Sequence, residues 1–420
     1  MKKVKEGYKM TEIGEIPSEW QVRKLGEITI GKGEYGIGAS ATEYIEGKPR
    51  YLRITDIGDS CRLLFNEIKG LDDADYEKYI LKEGDIVFAR TGNTTGKGYV
   101  YNREHGELVY AGFLIKYSID NNIAKHNFIK YVIQSKRYWD WVNIMSTRSG
   151  QPGINSNEYS SFIVQLPPLK EQEKIASILS TVDEQIDNVD AIIEKNKELK
   201  KGLMQTLLTK GIGHTKFKKT EIGEIPEAWE VKKIIDIANT TSGGTPSRAK
   251  KEYYENGIYP WVKTGELYNK YISKTEEYIT EDALKKSSAK LVPEGAVIIA
   301  MYGATIGKLS IAKRSVTTNQ ACCSIICNNN ICYNEYLYYR LNFEKENIIN
   351  LGAGGAQPNI SQDIIKNYKL AIPTRGEQQR IVLILSELDK KIDEYENKKQ
   401  KLEALKNGLM QQLLSGKIRV

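Results

Sequence analysis

Thr11-Glu12-Ile13-Gly14-Glu15-Ile16-Pro17 recurs letter for letter as Thr220-Glu221-Ile222-Gly223-Glu224-Ile225-Pro226, and a tryptophan follows each copy, Trp20 and Trp229. Working outward, Glu83-Gly84 to Gly96-Lys97 returns more loosely as Glu294-Gly295 to Gly307-Lys308. Gln151-Pro152 answers Gln357-Pro358, and Glu171-Gln172 answers Glu377-Gln378. Gly202-Leu203-Met204-Gln205 returns as Gly408-Leu409-Met410-Gln411, with Leu207-Leu208 matched by Leu413-Leu414. The spacing stays near 206–211 residues along the whole chain. That is a tandem duplication, with far too long a period for a solenoid.

The copies match at their edges and differ in their middles. Residues 1–19 form an N-terminal segment that 213–228 repeats, the middles cover 20–166 and 229–372, and the stretches 167–212 and 373–420 close each copy. Similar ends around dissimilar middles suggest one kind of partner held twice and two different targets read. Each middle reads as mixed α/β (α+β). Tyr51–Thr55, Ile86–Ala89 and Val297–Ala300 look like short strands between Gly- and Asp-rich turns. Asn127–Trp141 and its counterpart Asn334–Phe343 look like amphipathic helices.

Each closing stretch predicts one long helix. From about Lys170 to Thr209, Ile175, Leu179, Val182, Ile186, Val189 and Ile193 step by alternating fours and threes, a heptad seam. Asn196, Leu199, Leu203 and Leu207 continue it after one shortened step. The second seam runs Ile381, Leu385, Leu388, Ile392, Tyr395, Lys399, Leu402, Leu405, Leu409 and Leu413. Helices of ~40 residues are too long to bury in one compact domain, so a coiled coil is the better reading. A parallel pair would force residues 210–228 to stretch back along the rod. An antiparallel coiled coil, with pseudo-two-fold symmetry between the repeats, is therefore expected.

Composition narrows the function. The 420 residues are 40% hydrophobic and 27% charged, which suits packed domains rather than disorder. No apolar run approaches the ~20 residues of a membrane helix, and Met1–Met10 is basic without the apolar stretch of a secretory signal. A cytoplasmic location is expected, with no membrane partner. The five cysteines, Cys61, Cys322, Cys323, Cys327 and Cys332, have neither zinc-site nor disulfide-framework spacing, so they read as small hydrophobes in a reducing compartment. Net charge is only +7, from 61 Lys+Arg against 54 Asp+Glu. If DNA is the partner, the fold must sort the cations onto one face. The 26 tyrosines could stack on bases, but they read first as strand formers.

Catalytic signatures are missing. Gly92-Asn93-Thr94-Thr95-Gly96-Lys97 tempts as a phosphate loop, but it has three residues between its glycines and Gly98 after the lysine. A P-loop needs four, and a Ser or Thr. A strand-ending turn fits better. The three histidines show no metal spacing, the only Pro-Pro is Pro167-Pro168 in no methyltransferase context, and no dinucleotide fingerprint follows a strand. No cofactor, structural metal or catalytic centre is expected.

The TEIGEIPxxW openings, the Gln-Pro turns before each coil, the run Pro167-Pro168-Leu169-Lys170-Glu171-Gln172-Glu173-Lys174-Ile175-Ala176 and the GLMQxLL helix ends together resemble the specificity subunit of type I restriction–modification enzymes. The resemblance covers essentially all of the chain. The second helix departs from it by opening with Ile372-Pro373-Thr374-Arg375. The resemblance implies two target-recognition domains alternating with two helical regions. It implies a non-catalytic subunit that binds a bipartite double-stranded DNA target and docks two methyltransferase subunits and then restriction subunits, with the coils spacing the half-sites. The rival readings are a DNA-cleaving or DNA-joining enzyme with an unrecognised centre, and a coiled-coil structural protein, which would not need two divergent α/β domains.

Turn and strand-end residues are the expected DNA-facing set. In the first middle these are Arg50, Tyr51, Arg53, Thr55, Arg90, Thr91, Asn93, Lys97, Arg148 and Gln151. In the second they are Thr245, Ser247, Arg248, Lys263, Thr264, Tyr302, Lys308, Asn319, Gln320 and Gln357. Arginine suits guanine, Asn and Gln suit adenine, and lysine suits phosphate. The bland alternative for each is an ordinary solvated turn.

Overall fold

A computed structural model describes residues 4–72, 75–147, 152–352 and 359–420. The chain divides into two compact units, Met1–Asp190 with Asn397–Val420, and Ala191–Glu396.

In the first unit the repeated heptapeptide is a hairpin, Tyr8–Thr11 against Gly14–Pro17. Its letters have mechanical reasons. The Thr11 hydroxyl donates to the Gly14 carbonyl (2.7 Å) and accepts from the Ile13 N–H, and Gly14 takes φ +102°, which side chains avoid. Ile16 then enters the core beside Trp20. Behind it, Gln21–Lys24 pairs with Ile163–Leu166. A four-stranded antiparallel sheet follows in the order Thr29–Tyr35, Leu114–Ile119, Asp85–Ala89, Gly98–Val100. A separate parallel pair joins Arg50–Leu52 to Leu108–Tyr110. The expected strand thus stops at Leu52, because Asp56 accepts from the Arg53 N–H (2.8 Å) and starts a 3-10 turn, Ile54–Asp56. The expected helix over 127–141 is two helices, His126–Val132 and Lys136–Ser146. Ser135 caps the second by accepting from the Tyr138 N–H.

The second unit repeats this plan. Its hairpin is Phe217–Thr220 against Gly223–Pro226, with the same Thr220–Gly223 bond (2.7 Å) and Gly223 at φ +106°. Its larger sheet runs Ala238–Ser242, Cys322–Cys327, Val297–Ala300, Leu309–Ala312, Tyr271–Ile272. The parallel pair is Tyr259–Val262 with Thr317–Thr318. Asn334–Phe343 is one helix, as expected.

The long helices are Leu169–Thr209 and Arg375–Leu413. Within the first unit Asp183 pairs with Lys406 (2.7 Å) and Asp190 with Lys399 (2.7 Å). One number rises as the other falls, so the helices run antiparallel. Within the second unit Lys197–Glu396 and Lys200–Asp389 show the same sense. The seam is buried from Ile175 to Ile193 and from Ile381 to Ile392. After the shortened step it departs from the expectation: Leu199 and Leu405 are exposed. Their neighbours Lys200 and Lys406 point inward instead, each held by a carboxylate of the facing helix. The seam resumes at Leu207 in the second unit and at Leu413 in the first.

The matched edges meet around the two tryptophans. In the first unit the Trp20 indole N–H donates to Glu171 (3.1 Å), and Met410 and Leu413 join its core. In the second the Trp229 indole donates to Glu377 (3.0 Å) among Met204, Leu207 and Leu208. The glutamine after each glutamate holds the start of a helix. Gln172 accepts from the Lys125 N–H (2.8 Å) and donates to the Pro167 carbonyl. Gln378 accepts from the Tyr333 N–H (2.7 Å) and donates to the Pro373 carbonyl.

Candidate nucleic-acid interface

In the first unit the parallel strands finish at one edge, where the Ala111 N–H donates to the Leu52 carbonyl (3.0 Å). The strand Asp85–Ala89 delivers Arg90 beside them. The Arg90 N–H donates to the Phe113 carbonyl (3.1 Å), and its own carbonyl accepts from Ile154 (2.9 Å). The turn 92–97 then closes through Thr95 N–H to Gly92 (3.1 Å), Gly96 N–H to Ala89 (3.0 Å) and Lys97 N–H to Thr94 (2.9 Å). A Cβ on Gly96 would lie 2.5 Å from Val142, and the buried Tyr138 hydroxyl donates to the Gly96 carbonyl (2.7 Å). Burial holds that phenol well above its ordinary pKa, so it remains a donor.

The second unit builds the same edge bond for bond. Asn319 N–H donates to Val262 (3.0 Å), Met301 N–H to Ala321 (2.8 Å), and Ile360 N–H to Met301 (2.8 Å). Ile306, Gly307 and Lys308 repeat the turn on Gly303, Ala300 and Thr305. These bonds fix which residues are equivalent: Arg53 with Lys263, Arg90 with Met301, Lys97 with Lys308, Ala111 with Asn319, and Phe113 with Ala321. Tyr35 and Ser242 correspond through their pairing with Ile115 and Cys323.

The sequence-derived residues fall into three groups. Arg148, Gln151 and Gln357 lie outside the described residues. Arg50 and Tyr51 are corrected: both are buried. The Arg50 guanidinium donates to the Leu64 carbonyl and lies 5.0 Å from the Phe65 ring, and burial lowers its pKa. The Tyr51 hydroxyl donates to the Ala39 carbonyl (2.8 Å). A three-residue strand enclosed on both faces leaves no side free for a ligand.

The remainder line the edges described, several of them already paired. Arg53 grips Asp56 through Nη2 (2.8 Å) and also reaches Glu67; Lys97 pairs with Asp59 (2.9 Å). In the second unit Arg248 pairs with Glu277 and lies 4.4 Å from the Tyr254 ring, while Lys263 pairs with Glu276 (2.9 Å) and Glu277 (3.0 Å). Hydrogen bonds to Asp56, Glu277 and Glu276 raise the pKa values of Arg53, Arg248 and Lys263 respectively. Thr55, Asn93, Thr245, Ser247 and Gln320 are exposed, and Thr245 donates to Gln320. Thr91, Thr264, Tyr302, Lys308 and Asn319 are half-buried, and Tyr302 bridges to Asn359. Sequence reasoning missed Tyr35 and Phe113, exposed aromatics flanking Arg90. The available signal was the glycine pair around each bend: Gly36 and Gly38 here, Gly243 and Gly244 in the second unit.

A model of the type I restriction modification DNA specificity domain matches residues 17–198 and again 226–404. The chain belongs to this family. A type I restriction enzyme MjaVIII specificity subunit of Methanocaldococcus jannaschii is 28% identical over 96% of this chain and 94% of its own. The crystal structure of the type I restriction–modification S subunit from M. genitalium superimposes with a TM-score of 0.63, at 15% identity over 96% of this chain and 97% of that one. A chain from a structure of complex assembly and conformational transition of the type I R–M system gives 0.55, at 17% identity over 96% and 99%. The chain is thus a type I specificity subunit with two DNA-specificity domains. Among the described residues, no helix is long and apolar enough to cross a membrane.

Proposed function

We propose that the middles 20–166 and 229–372 are target-recognition domains that each read one half of an asymmetric bipartite duplex. The segments 1–19 and 213–228 and the helical regions 167–212 and 373–420 form the shared frame. The paired helices set the spacing between half-sites. One observation carries the reading: the same hydrogen-bonded edge occurs in both units with different side chains, Arg90 against Met301 and Phe113 against Ala321. A common function at different sequences asks for that pattern.

The frame, matched between copies down to Trp20–Glu171 and Trp229–Glu377, suits two identical methyltransferase subunits and the restriction subunits that join them. The family relative solved in a study of type I complex assembly supports those partners. The subunit contributes recognition without catalysis and works in the cytoplasm, where the host duplex lies. The DNA-facing set is Thr55, Arg90, Thr91, Asn93 and Lys97 in the first domain. In the second it is Thr245, Ser247, Arg248, Thr264, Tyr302, Lys308, Asn319 and Gln320, with Arg53 and Lys263 shaping the rims. The test is gel retardation with the purified chain. Selective retardation of one duplex from a random pool, with no cutting or methylation, is expected; cleavage of that duplex would favour an enzyme.

A further inference from the structure

We infer that Arg90, placed over the Tyr35 ring, is the residue of the first domain that reads a guanine, through the O6 and N7 acceptors of its major-groove edge. This rests on the DNA-reading function proposed above and deepens it to one residue and one base.

Accessibility of donors separates Arg90 from its neighbours. Among the expected cations of the first domain that the structure describes, Arg50 is buried, Arg53 is committed to Asp56 and Lys97 pairs with Asp59. The Arg90 guanidinium has no hydrogen bond or ion pair among the described residues. It lies 4.9 Å from the Tyr35 ring centroid, a cation–π distance. Its five N–H donors are therefore unspent beside that ring.

Tyr35 is itself held. Its backbone pairs in register with Ile115, and its hydroxyl accepts from the Ser156 N–H (3.3 Å). The Arg90 backbone is pinned on both sides, by Phe113 and Ile154. A planar fork on a rigid mount is what bidentate recognition of guanine requires, whereas a phosphate contact needs only a mobile charge.

Duplication supplies a second, independent argument. Contacts that ignore sequence should be kept in both copies, and contacts that read sequence should differ. Lys97 and Lys308 occupy equivalent places and are the same residue. Arg90 and Met301 occupy equivalent places and share no polar chemistry. Arg90 thus belongs to the reading set and the lysines to the backbone set.

The test uses the full chain assembled with its methyltransferase subunits. The wild-type methylated motif is mapped on host DNA, and affinity is measured on that duplex and on its single-base variants. Arg90→Met installs the residue that the second domain carries at the same backbone position, so folding is not at issue. It should weaken binding to the wild-type duplex by about ten- to a hundredfold and abolish discrimination at one guanine of one half-site, leaving the other half unchanged. Tyr35→Phe should retain discrimination, and Tyr35→Ala should lose part of it. Several results would overturn the assignment: no guanine in the affected half-site, unchanged discrimination, or an equal loss on every duplex with a salt slope shallower by about one, the mark of a phosphate contact. A wild-type complex that recognised no bipartite motif would instead defeat the underlying function, before any variant was made.

Discussion

Replacing Glu171 by alanine probes how the repeated edges are held together. Its carboxylate, only 5% exposed, accepts from the Trp20 indole (3.1 Å) and from Arg419 through Nε (2.6 Å) and Nη2 (2.9 Å). Trp20 is fully buried, so truncation strands an indole N–H away from water, a loss of about 1–3 kcal/mol. The Arg419 side chain is 39% exposed, so water screens its ion pair and that contribution is about 1 kcal/mol or less. Glu171→Ala should therefore cost about 1–4 kcal/mol, and Arg419→Ala no more than about 1 kcal/mol. Urea denaturation, with hydrogen exchange followed in peptides over 8–25 and over 217–235, separates the two units. Protection should fall in the first peptide set and hold in the second, where Glu377 keeps Trp229, Ile212 and His214. Equal losses from Arg419→Ala and Glu171→Ala would refute the ranking and make the ion pair the anchor.

Asp183→Ala should cost about 3 kcal/mol in thermal or urea unfolding, because the buried Lys406 ammonium keeps Gln134 and the Tyr131 ring but no counter-charge, whereas Lys406→Met leaves Asp183 with Lys130 and Tyr131 and should cost less. Gly36→Ala would set a Cβ 2.3 Å from the Tyr110 and Ala111 carbonyl oxygens, and Gly243→Ala one 2.2 Å from that of Thr318. Each should weaken recognition of one half-site in binding assays with half-site variants, and a loss of both halves from either change would contradict the local assignment. Burial pushes the Cys61, Cys322 and Cys323 thiols up to about 12, so at pH 8 only about one part in ten thousand is thiolate. Alkylation of the native chain should spare all three and reach them on unfolding, as peptide mass spectrometry would read.

The duplication and the heptads were legible because both depend on spacing alone. The hairpin letters were legible as a repeat, and their reason needed coordinates: Thr11 and Gly14 make one turn, and Glu171 meets a tryptophan 151 residues away. The seam failed at Leu199 and Leu405, where Lys200 and Lys406 find carboxylates on the facing helix and point inward. A hydropathy pattern counts a lysine as outward and cannot register a partner so distant in sequence. The site was legible as turns but not as surfaces. Arg50 and Arg53 are near neighbours in sequence, yet one is enclosed by a parallel strand pair and the other caps a 3-10 turn. Tyr35 and Phe113 escaped notice because an exposed aromatic and a core aromatic look the same in a strand pattern.

Independent reading by the two domains is tested by exchanging residues 20–166 for the corresponding segment of another type I specificity subunit and mapping methylated positions in a host carrying the complete system. A hybrid motif is expected, with one half replaced and the other retained. A change in both halves, or in neither, would contradict the claim that each domain reads its own half-site.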